Sequence, residues 1–236
     1  MSGYIQDAIM LLGDSITEMS TAPFGLCQQL TNVYNRKLDI IVRGFSGYNT
    51  AWVLPVFEKV FPKRTERQKL ARIQLLTIWF GANDAAFPGE HQHVPLDTFK
   101  ANLSKLIWMV KDPESEWYSP ETHIVLITPP PFLRVNVPRN TLDRNLAGSR
   151  TYAEAVKQVA AQESVVVLDI WNLIWEAAGK KEENLTQFLS DGLHLGKEGY
   201  KIVYDALIDA IREHYPEIHY DKASMAYPLY DPVLSL

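Results

Sequence analysis

Four short segments of the sequence place polar side chains beside glycine. They are Gly13-Asp14-Ser15, Ser46-Gly47, Gly81-Ala82-Asn83-Asp84 and Asp191-Gly192-Leu193-His194. Together they contain a hydroxyl, an imidazole, a carboxylate three residues before that imidazole, and several amide N–H groups. Nucleophilic acyl transfer needs these groups, because it uses a nucleophile, a base, a group that orients the base, and donors for an oxyanion.

Each residue type suggests a role. A Ser15 hydroxyl in a tight turn at a strand end would be exposed as a nucleophile, and His194 would take its proton and return it to the leaving alcohol. Asp191 would hold the tautomer of the imidazole. The backbone N–H groups of Ser15 and Gly47 and the side-chain amide of Asn83 would donate to the oxyanion.

Each segment taken alone also has an ordinary structural interpretation. Ser15 and Asn83 belong to residue types that are frequent in turns and helix caps. Gly47 suits a backbone with a positive φ angle. Asp191 and His194 would serve equally well as local helix-capping residues. The occurrence of all of them in one chain is what favours catalysis.

Five short apolar runs separate or flank these segments and predict buried strands. They cover residues 8–12, 40–42, 75–80, 124–127 and 165–168. Their lack of polar alternation is typical of parallel strands that are covered on both faces. Apolar residues recur at helical spacing within 99–110, 152–159 and 203–211. The sequence therefore predicts a three-layer α/β fold, with about five parallel strands and helices on both faces of the sheet.

Ligands of open α/β sheets bind outside the carboxyl ends of the strands, where the strand order reverses. The segments beginning at Gly13, Ser46 and Gly81 each follow a predicted strand, and we expect them to converge at that edge. Asp14, as the immediate neighbour of Ser15, is expected to cap or brace its turn. The segment that ends at His194 comes just before the last predicted helix.

Three stretches are less regular. A helix between the second and third strands is expected to begin near Leu54, since Pro55 is tolerated only in a first turn. Residues 129–150 hold four prolines and no clear periodicity, which predicts a long connection of the kind that is often functional. Residues 215–236 are expected to form an irregular C-terminal tail, either packed on the body or against a partner chain.

Composition limits the function classes. The 236 residues predict a single domain over 1–236, and a formal charge of -5 without a Lys/Arg cluster argues against nucleic-acid binding. The single cysteine, Cys27, excludes an intrachain disulfide and suits a reducing compartment. No signal peptide or membrane span is indicated, and the expected location is the cytoplasm.

Motifs for other chemistries are missing from the sequence. There is no G-x-S-x-G elbow, no dinucleotide fingerprint and no P-loop, so no cofactor is expected. His91 and His93 form a His-x-His pair without a third ligand at a recognisable spacing, and no metal site is expected there. Phe24, Trp52, Trp79 and Phe132 could line a substrate pocket, but aromatic residues in such segments are more often part of the core.

In chain order, the four glycine-bearing segments resemble the four sequence blocks of the SGNH hydrolases, also called the GDSL family. The longer strings 13–18, 43–50 and 191–194 are most similar to isoamyl acetate-hydrolysing esterases of fungi and plants. The resemblance covers roughly the whole chain. It implies the flavodoxin-like SGNH fold and the metal-independent hydrolysis of small acyl esters.

These observations predict a serine esterase that forms an acyl-enzyme at Ser15. The expected substrate is a small-molecule ester of a short acid, with acetate favoured, and a small apolar alcohol. The same catalytic groups would also serve an acetylated carbohydrate, a lysophospholipid or an acyl thioester. A non-catalytic binding protein is the alternative from another class, and the presence of all five proposed groups argues against it. A homodimer is left open.

Overall fold

The computed structural model describes residues 5–134 and 143–226. Within these ranges, the chain forms a five-stranded parallel sheet in the order β2-β1-β3-β4-β5. The strands are β1 (Ala8–Gly13), β2 (Asp39–Gly44), β3 (Ile73–Trp79), β4 (His123–Ile127) and β5 (Val166–Leu168). All five coincide with the predicted apolar runs to within a few residues. The strand order is that of the flavodoxin-like fold, as expected.

Seven α-helices accompany these strands in the described part of the chain: α1 (Ser15–Glu18), α2 (Leu26–Tyr34), α3 (Thr50–Val60), α4 (Leu96–Lys111), α5 (Leu146–Glu163), α6 (Ile170–Ala177) and α7 (Lys197–His214). The three long predicted helices correspond to α4, α5 and α7. No prediction was made for α2, although its buried residues Leu26, Leu30 and Tyr34 follow helical spacing. Short 3₁₀ turns occupy Met19–Thr21, Arg67–Lys69, Glu182–Gln187 and Pro216–Ile218.

The helices cover both faces of the sheet and create two apolar cores. One core joins the sheet to α2, α6 and α7, and the other joins it to α3, α4 and α5. Alternate residues of β1 enter opposite cores, with Leu11 in the first and Met10 and Leu12 in the second. Because both faces of β1 are buried, the strand has no polar alternation. The predicted three-layer α/β arrangement is thus confirmed.

The predicted start of α3 near Leu54 is wrong, because the helix begins one turn earlier at Thr50. The side chain of Asn49 caps it by accepting the Trp52 N–H at 3.0 Å. Pro55 therefore lies inside the helix, where it removes one backbone hydrogen bond. The cap, together with the Thr50 N–H donated to Asp84 Oδ1 at 2.9 Å, favours the earlier start despite that loss.

The connection predicted over 129–150 is shorter than expected. Its last five residues belong to α5, which begins at Leu146 after Asn145 accepts the Gly148 N–H at 2.7 Å. Residues 129–134 and 143–145 are irregular, and 135–142 lie outside the described residues.

The described part of the C-terminal tail, 215–226, packs on the body of the protein. Ala226 N–H donates to Arg36 O at 2.7 Å, and Lys37 Nζ donates to Tyr220 O. His219 is buried in this contact. The expectation for 227–236 falls outside the described residues. None of the helices in the described ranges has the length and apolar character needed to cross a membrane.

Candidate active site

The strand order creates a crevice at the carboxyl edge of the sheet. After β1 the chain moves to β2 on one side, and it then crosses to β3 on the other side of β1. The loops that follow β1 and β3 consequently leave the sheet in opposite directions, which is where ligands bind in such folds. Ser15 comes two residues after the end of β1, and Asn83 comes four residues after the end of β3.

A tight turn between β1 and α1 holds Ser15. Asp14 caps the helix, since its Oδ1 accepts the Ile16 N–H at 2.9 Å, as the sequence predicted for this residue. The Tyr200 hydroxyl, from α7, donates to Ile16 O at 2.6 Å and braces the turn from the other side. Ser15 itself is 7% exposed, so its hydroxyl is held in a confined position.

The loop after β2 is bound to this turn. Gly44 is required by close approach, because a Cβ at this position would lie 2.1 Å from the Glu18 backbone nitrogen. The end of β2 therefore packs directly on α1. The Glu18 carboxylate accepts the Ser46 N–H at 2.7 Å, which joins the Ser46-Gly47 segment to the helix that begins at Ser15.

The structure brings Ser15, His194 and Asp191 into one hydrogen-bonded series. Ser15 Oγ lies 2.8 Å from His194 Nε2, and His194 Nδ1 lies 2.7 Å from Asp191 Oδ2. An ionised carboxylate only accepts hydrogen bonds, so the proton of the neutral imidazole is on Nδ1. Nε2 is then the acceptor for the Ser15 hydroxyl. This is the geometry of a nucleophile, a base and a group that orients the base.

A hairpin-like turn holds Asp191 and His194 together. Ser190 N–H donates to His194 O at 2.8 Å, and Leu189 and Leu195 form an antiparallel bridge around the turn. From the loop after β4, the backbone N–H of Leu133 donates to the carbonyl of the turn's glycine at 2.8 Å.

The Asp191 carboxylate is kept ionised by its own turn. Partial burial would raise its pKa, but the backbone N–H and imidazole of His194 and the backbone N–H of Leu193 together hold the pKa below its ordinary value. The side chain of Asp191 is 47% exposed, whereas that of His194 is 17% exposed. The carboxylate is therefore available as a stable negative partner for the imidazole.

Three N–H groups of the type expected for an oxyanion hole lie on the loops after β1, β2 and β3. Among the described residues, the backbone N–H groups of Ser15 and Gly47 have no protein acceptor. Gly47 has a φ of +81°, a left-handed conformation that favours glycine. Asn83 Nδ2 donates to Tyr48 O at 2.8 Å, and its second hydrogen remains for another acceptor.

Three further polar residues connect these loops, of which Asp84 and Arg144 are buried and Gln92 is partly buried. Asp84 accepts the Thr50 N–H and hydroxyl and, at 3.2 Å, the Gly81 N–H, which joins the loop after β3 to α3. Arg144 and Gln92 contact the loops that carry Asn83 and Gly47. Asp84 belongs to one of the four glycine-bearing segments, so the sequence could have indicated its importance. Arg144 and Gln92 belong to no sequence motif.

Burial also raises the pKa values of two aspartates next to the site residues. It raises the pKa of Asp14 to about 7, with the nearby Asp84 adding to the rise and the Ile16 N–H and the Arg144 charge opposing it. Burial raises the pKa of Asp84 to about 6, against the hydrogen bonds from Thr50. Asp14 thus differs from Asp191, whose pKa is lowered.

The raised pKa of Asp14 predicts a pH-dependent stability. Between about pH 4 and about pH 7, folded Asp14 retains a proton that the unfolded chain releases, so its contribution to folding falls as the pH rises. The limiting slope for one group is about 1.4 kcal/mol per pH unit. Asp14→Asn stays neutral, and its oxygen can still accept the Ile16 N–H.

Urea unfolding of the wild type and of Asp14→Asn at pH 5, 6, 7 and 8 tests this. We expect the free energy of unfolding of the wild type to fall relative to that of the variant up to about pH 7. A difference between the two proteins that stays constant with pH would contradict it.

An open groove of about 510 Å³ is lined by Tyr48, the residue that follows Gly47 in the sequence. Trp52 and His91 line it, with ring centroids 4.8 Å apart, and Pro55 contributes to its apolar surface. Of the aromatic residues considered for a pocket, Trp52 lines this groove, and Phe132, although buried, lines a separate cavity that Arg144 also lines. Trp79 is buried, and Phe24 is 56% exposed.

His93, the partner of His91 in the sequence motif, places Nδ1 2.6 Å from Ala86 O. Over residues 5–134 and 143–226, no group of three or more His, Cys, Asp or Glu side chains is arranged to hold a metal ion.

Comparison with known proteins places this chain in a family. Residues 11–202 match the GDSL-like Lipase/Acylhydrolase family. A GDSL esterase/lipase of Arabidopsis thaliana is 37% identical over 216 residues, which cover 87% of this chain and 86% of that protein. The isoamyl acetate-hydrolyzing esterase 1 homolog of Bos taurus is 34% identical over 207 residues, which cover 84% of this chain and 79% of the relative.

Solved structures agree on the fold. An acetylxylan esterase from Geobacillus stearothermophilus superimposes with a TM-score of 0.63, covering 89% of this chain and 96% of that protein. The two sequences are 20% identical, so this likeness concerns the fold alone.

Proposed function

The chain belongs to the GDSL-like lipase/acylhydrolase family and is a carboxylic ester hydrolase, and from this premise we propose that Ser15, His194 and Asp191 are its catalytic triad. The observation that carries the proposal is the continuous hydrogen-bonded series from Ser15 Oγ through the imidazole to Asp191. Ser15 lies far from Asp191 and His194 in the sequence, and the stability of the fold does not require these side chains to form such a series.

The reaction begins when Ser15 Oγ attacks the ester carbonyl carbon. His194 Nε2 takes the hydroxyl proton and then returns it to the departing alcohol, which leaves an acyl group on Ser15. In the second half, the same nitrogen takes a proton from water, and the water oxygen attacks the acyl carbon. The bond from that carbon to Ser15 Oγ then breaks, His194 returns the proton to Oγ, and the acid leaves. Asp191 stabilises the imidazolium that forms in both halves.

The oxyanion that forms in each half needs donors. We assign this role to the backbone N–H groups of Ser15 and Gly47 and to Asn83 Nδ2. The two backbone groups have no acceptor within the described residues, and Asn83 has a spare hydrogen. Donors held in place before the reaction stabilise the developing charge without reorganisation.

For the substrate, we propose an ester of a short acid, with acetate favoured, and a small apolar alcohol. The relatives named isoamyl acetate-hydrolyzing esterase homologs support this choice. The apolar groove that starts at Tyr48 offers a surface for the alcohol. Ser15 is 7% exposed, so only a small part of its side chain is open to an acyl chain, which favours a short one.

Initial rates on p-nitrophenyl acetate and p-nitrophenyl octanoate test both parts of this proposal, with Ser15→Ala as the blank. We expect a Ser15-dependent rate whose kcat/KM favours acetate by at least about tenfold, because the confined hydroxyl excludes the longer chain. A preference for octanoate would contradict the short-acyl assignment and favour a lipase or thioesterase. Equal rates for wild type and blank would contradict the assignment of Ser15.

A further inference from the structure

Arg144 is a buried arginine whose hydrogen bonds reach two loops of the active site. It lies in the irregular segment before α5, and its side chain is 6% exposed. A guanidinium has five N–H donors in a fixed plane. In this structure they have five acceptor contacts: two oxygens of Asp143, Ala82 O, Asn83 Oδ1 and Gln92 Oε1.

The contact with Asn83 sets the orientation of its side-chain amide. Arg144 can only donate, so the amide oxygen must face it, and Oδ1 does so at 3.4 Å from Nη1. The NH₂ group is consequently directed to the opposite side, where it donates to Tyr48 O at 2.8 Å. A flipped amide would place two donors against each other at Arg144 and two acceptors against each other at Tyr48.

The contact with Gln92 extends to Gly47. Gln92 Oε1 accepts from Arg144 Nη2 at 2.9 Å, so its amide nitrogen faces away and donates to Gly47 O at 2.8 Å. The backbone of Gln92 is itself fixed, because its carbonyl accepts from Asn49 Nδ2 at 2.9 Å. Gly47 has a φ of +81°, and a glycine can adopt many backbone conformations. The hydrogen bond from Gln92 restricts the backbone movement of Gly47.

We propose that Arg144 is a positioning residue for oxyanion stabilisation. One guanidinium orients the Asn83 amide directly and restrains Gly47 through Gln92, so that two donors from different loops are held in register. This inference rests on the proposed function, which assigns both donors to the oxyanion. Arg144 acts on the transition state only through these groups, and its removal therefore changes kcat more than KM.

Steady-state kinetics of Arg144→Met on p-nitrophenyl acetate test the proposal. We expect kcat to fall by about 10²-fold, the loss that a displacement of about 1 Å in a catalytic group causes, with KM changed little. Arg144→Lys keeps the charge but not the planar fork, and we expect it to recover less than a tenth of the lost rate. The matched control is Arg150→Met, because Arg150 lies over the Trp171 ring and not on the active-site loops; its kcat should equal that of the wild type.

A double-mutant cycle separates positioning from general damage to the fold. Asn83→Ala alone should lower kcat by about 10²- to 10³-fold, as expected for the loss of one oxyanion donor. If Arg144 acts partly through Asn83, the double variant loses clearly less than the product of the two single losses. If the loss in the double variant equals the product of the two single losses, the proposed action of Arg144 through Asn83 is overturned.

Gln92→Leu keeps the proposal testable if Arg144→Met does not fold. It removes the amide that links Arg144 to Gly47, and with it one acceptor of Arg144, but it changes no charge, and we expect a lower kcat with a nearly unchanged KM. Wild-type kcat in Arg144→Met would overturn the inference as a whole, and wild-type kcat in Gln92→Leu alone would overturn its Gly47 branch; both results would leave Ser15-dependent hydrolysis intact. A wild type no faster than Ser15→Ala would instead overturn the proposed function, and this inference with it.

Discussion

Ser15→Ala and His194→Ala should each lower kcat on p-nitrophenyl acetate by about 10⁶-fold, the loss seen when such a member of a serine-hydrolase triad is removed. The reason is that the two side chains act as one unit. Without the Ser15 hydroxyl no acyl-enzyme forms, and without His194 Nε2, 2.8 Å away, the hydroxyl keeps its proton. The double variant should consequently be no slower than either single variant.

The controls are alanine substitutions of the same residue types far from the site. Ser224 is exposed in the C-terminal segment, and His214 is exposed at the end of α7. Ser224→Ala and His214→Ala should retain wild-type kcat, which shows that preparation and folding are not responsible for the losses. Turnover within tenfold of wild type in Ser15→Ala, with the same KM, would remove Ser15 from the mechanism.

Much of the fold was predictable because the signals are local. Each strand is centred on a short apolar run, and β1, β3 and β4 are largely buried, whereas the edge strands β2 and β5 are only partly buried. The helices α4, α5 and α7 are long enough to repeat their apolar spacing several times. The start of α3 was not predicted because it depends on two contacts acting together. Asn49 caps the helix, and Asp84, 34 residues away from Thr50, accepts the Thr50 N–H.

The functional residues also divide into those that a local sequence motif indicates and those that only the fold brings to the site. Ser15, Gly47, Asn83, Asp191 and His194 stand in short segments whose composition indicates chemistry, and the structure joins Ser15, His194 and Asp191. Nothing in the sequence around Arg144 indicates that its side chain reaches loops that lie 52 to 62 residues earlier. A single buried cation acquires its role only from the acceptors that the fold places around it.

The aspartates near the site show why residue type alone does not assign the triad acid. Asp14 is adjacent to Ser15, but its carboxylate caps α1, and burial raises its pKa to about 7. Asp191 is distant in sequence, and hydrogen bonds from His194 and Leu193 hold its pKa below the ordinary value. The geometry favours Asp191 as the proposed partner of the imidazolium, because Asp191 Oδ2 contacts His194 Nδ1, whereas the Asp14 carboxylate accepts the Ile16 N–H.

Asp191→Asn should lower kcat on p-nitrophenyl acetate by roughly 10⁴-fold with a nearly unchanged KM, by analogy with the corresponding substitution in another serine hydrolase. The amide keeps the size of the carboxylate and can still accept the Leu193 and His194 N–H groups, so the turn is preserved. Its NH₂ group, however, can donate to His194 Nδ1 and stabilise the wrong tautomer. Nε2 then carries the proton and cannot accept that of Ser15.

A matched control distinguishes this effect from a general loss of stability. Because the pKa of Asp191 is lowered, the wild type keeps this carboxylate ionised from pH 6 to pH 9, so the comparison can be made at any pH in that range. Asp205→Asn is the control, since Asp205 forms an exposed pair with Lys201 on α7 and should be silent. A loss of less than tenfold in Asp191→Asn would mean that His194 is oriented by its backbone turn alone, and that the carboxylate only supports the turn.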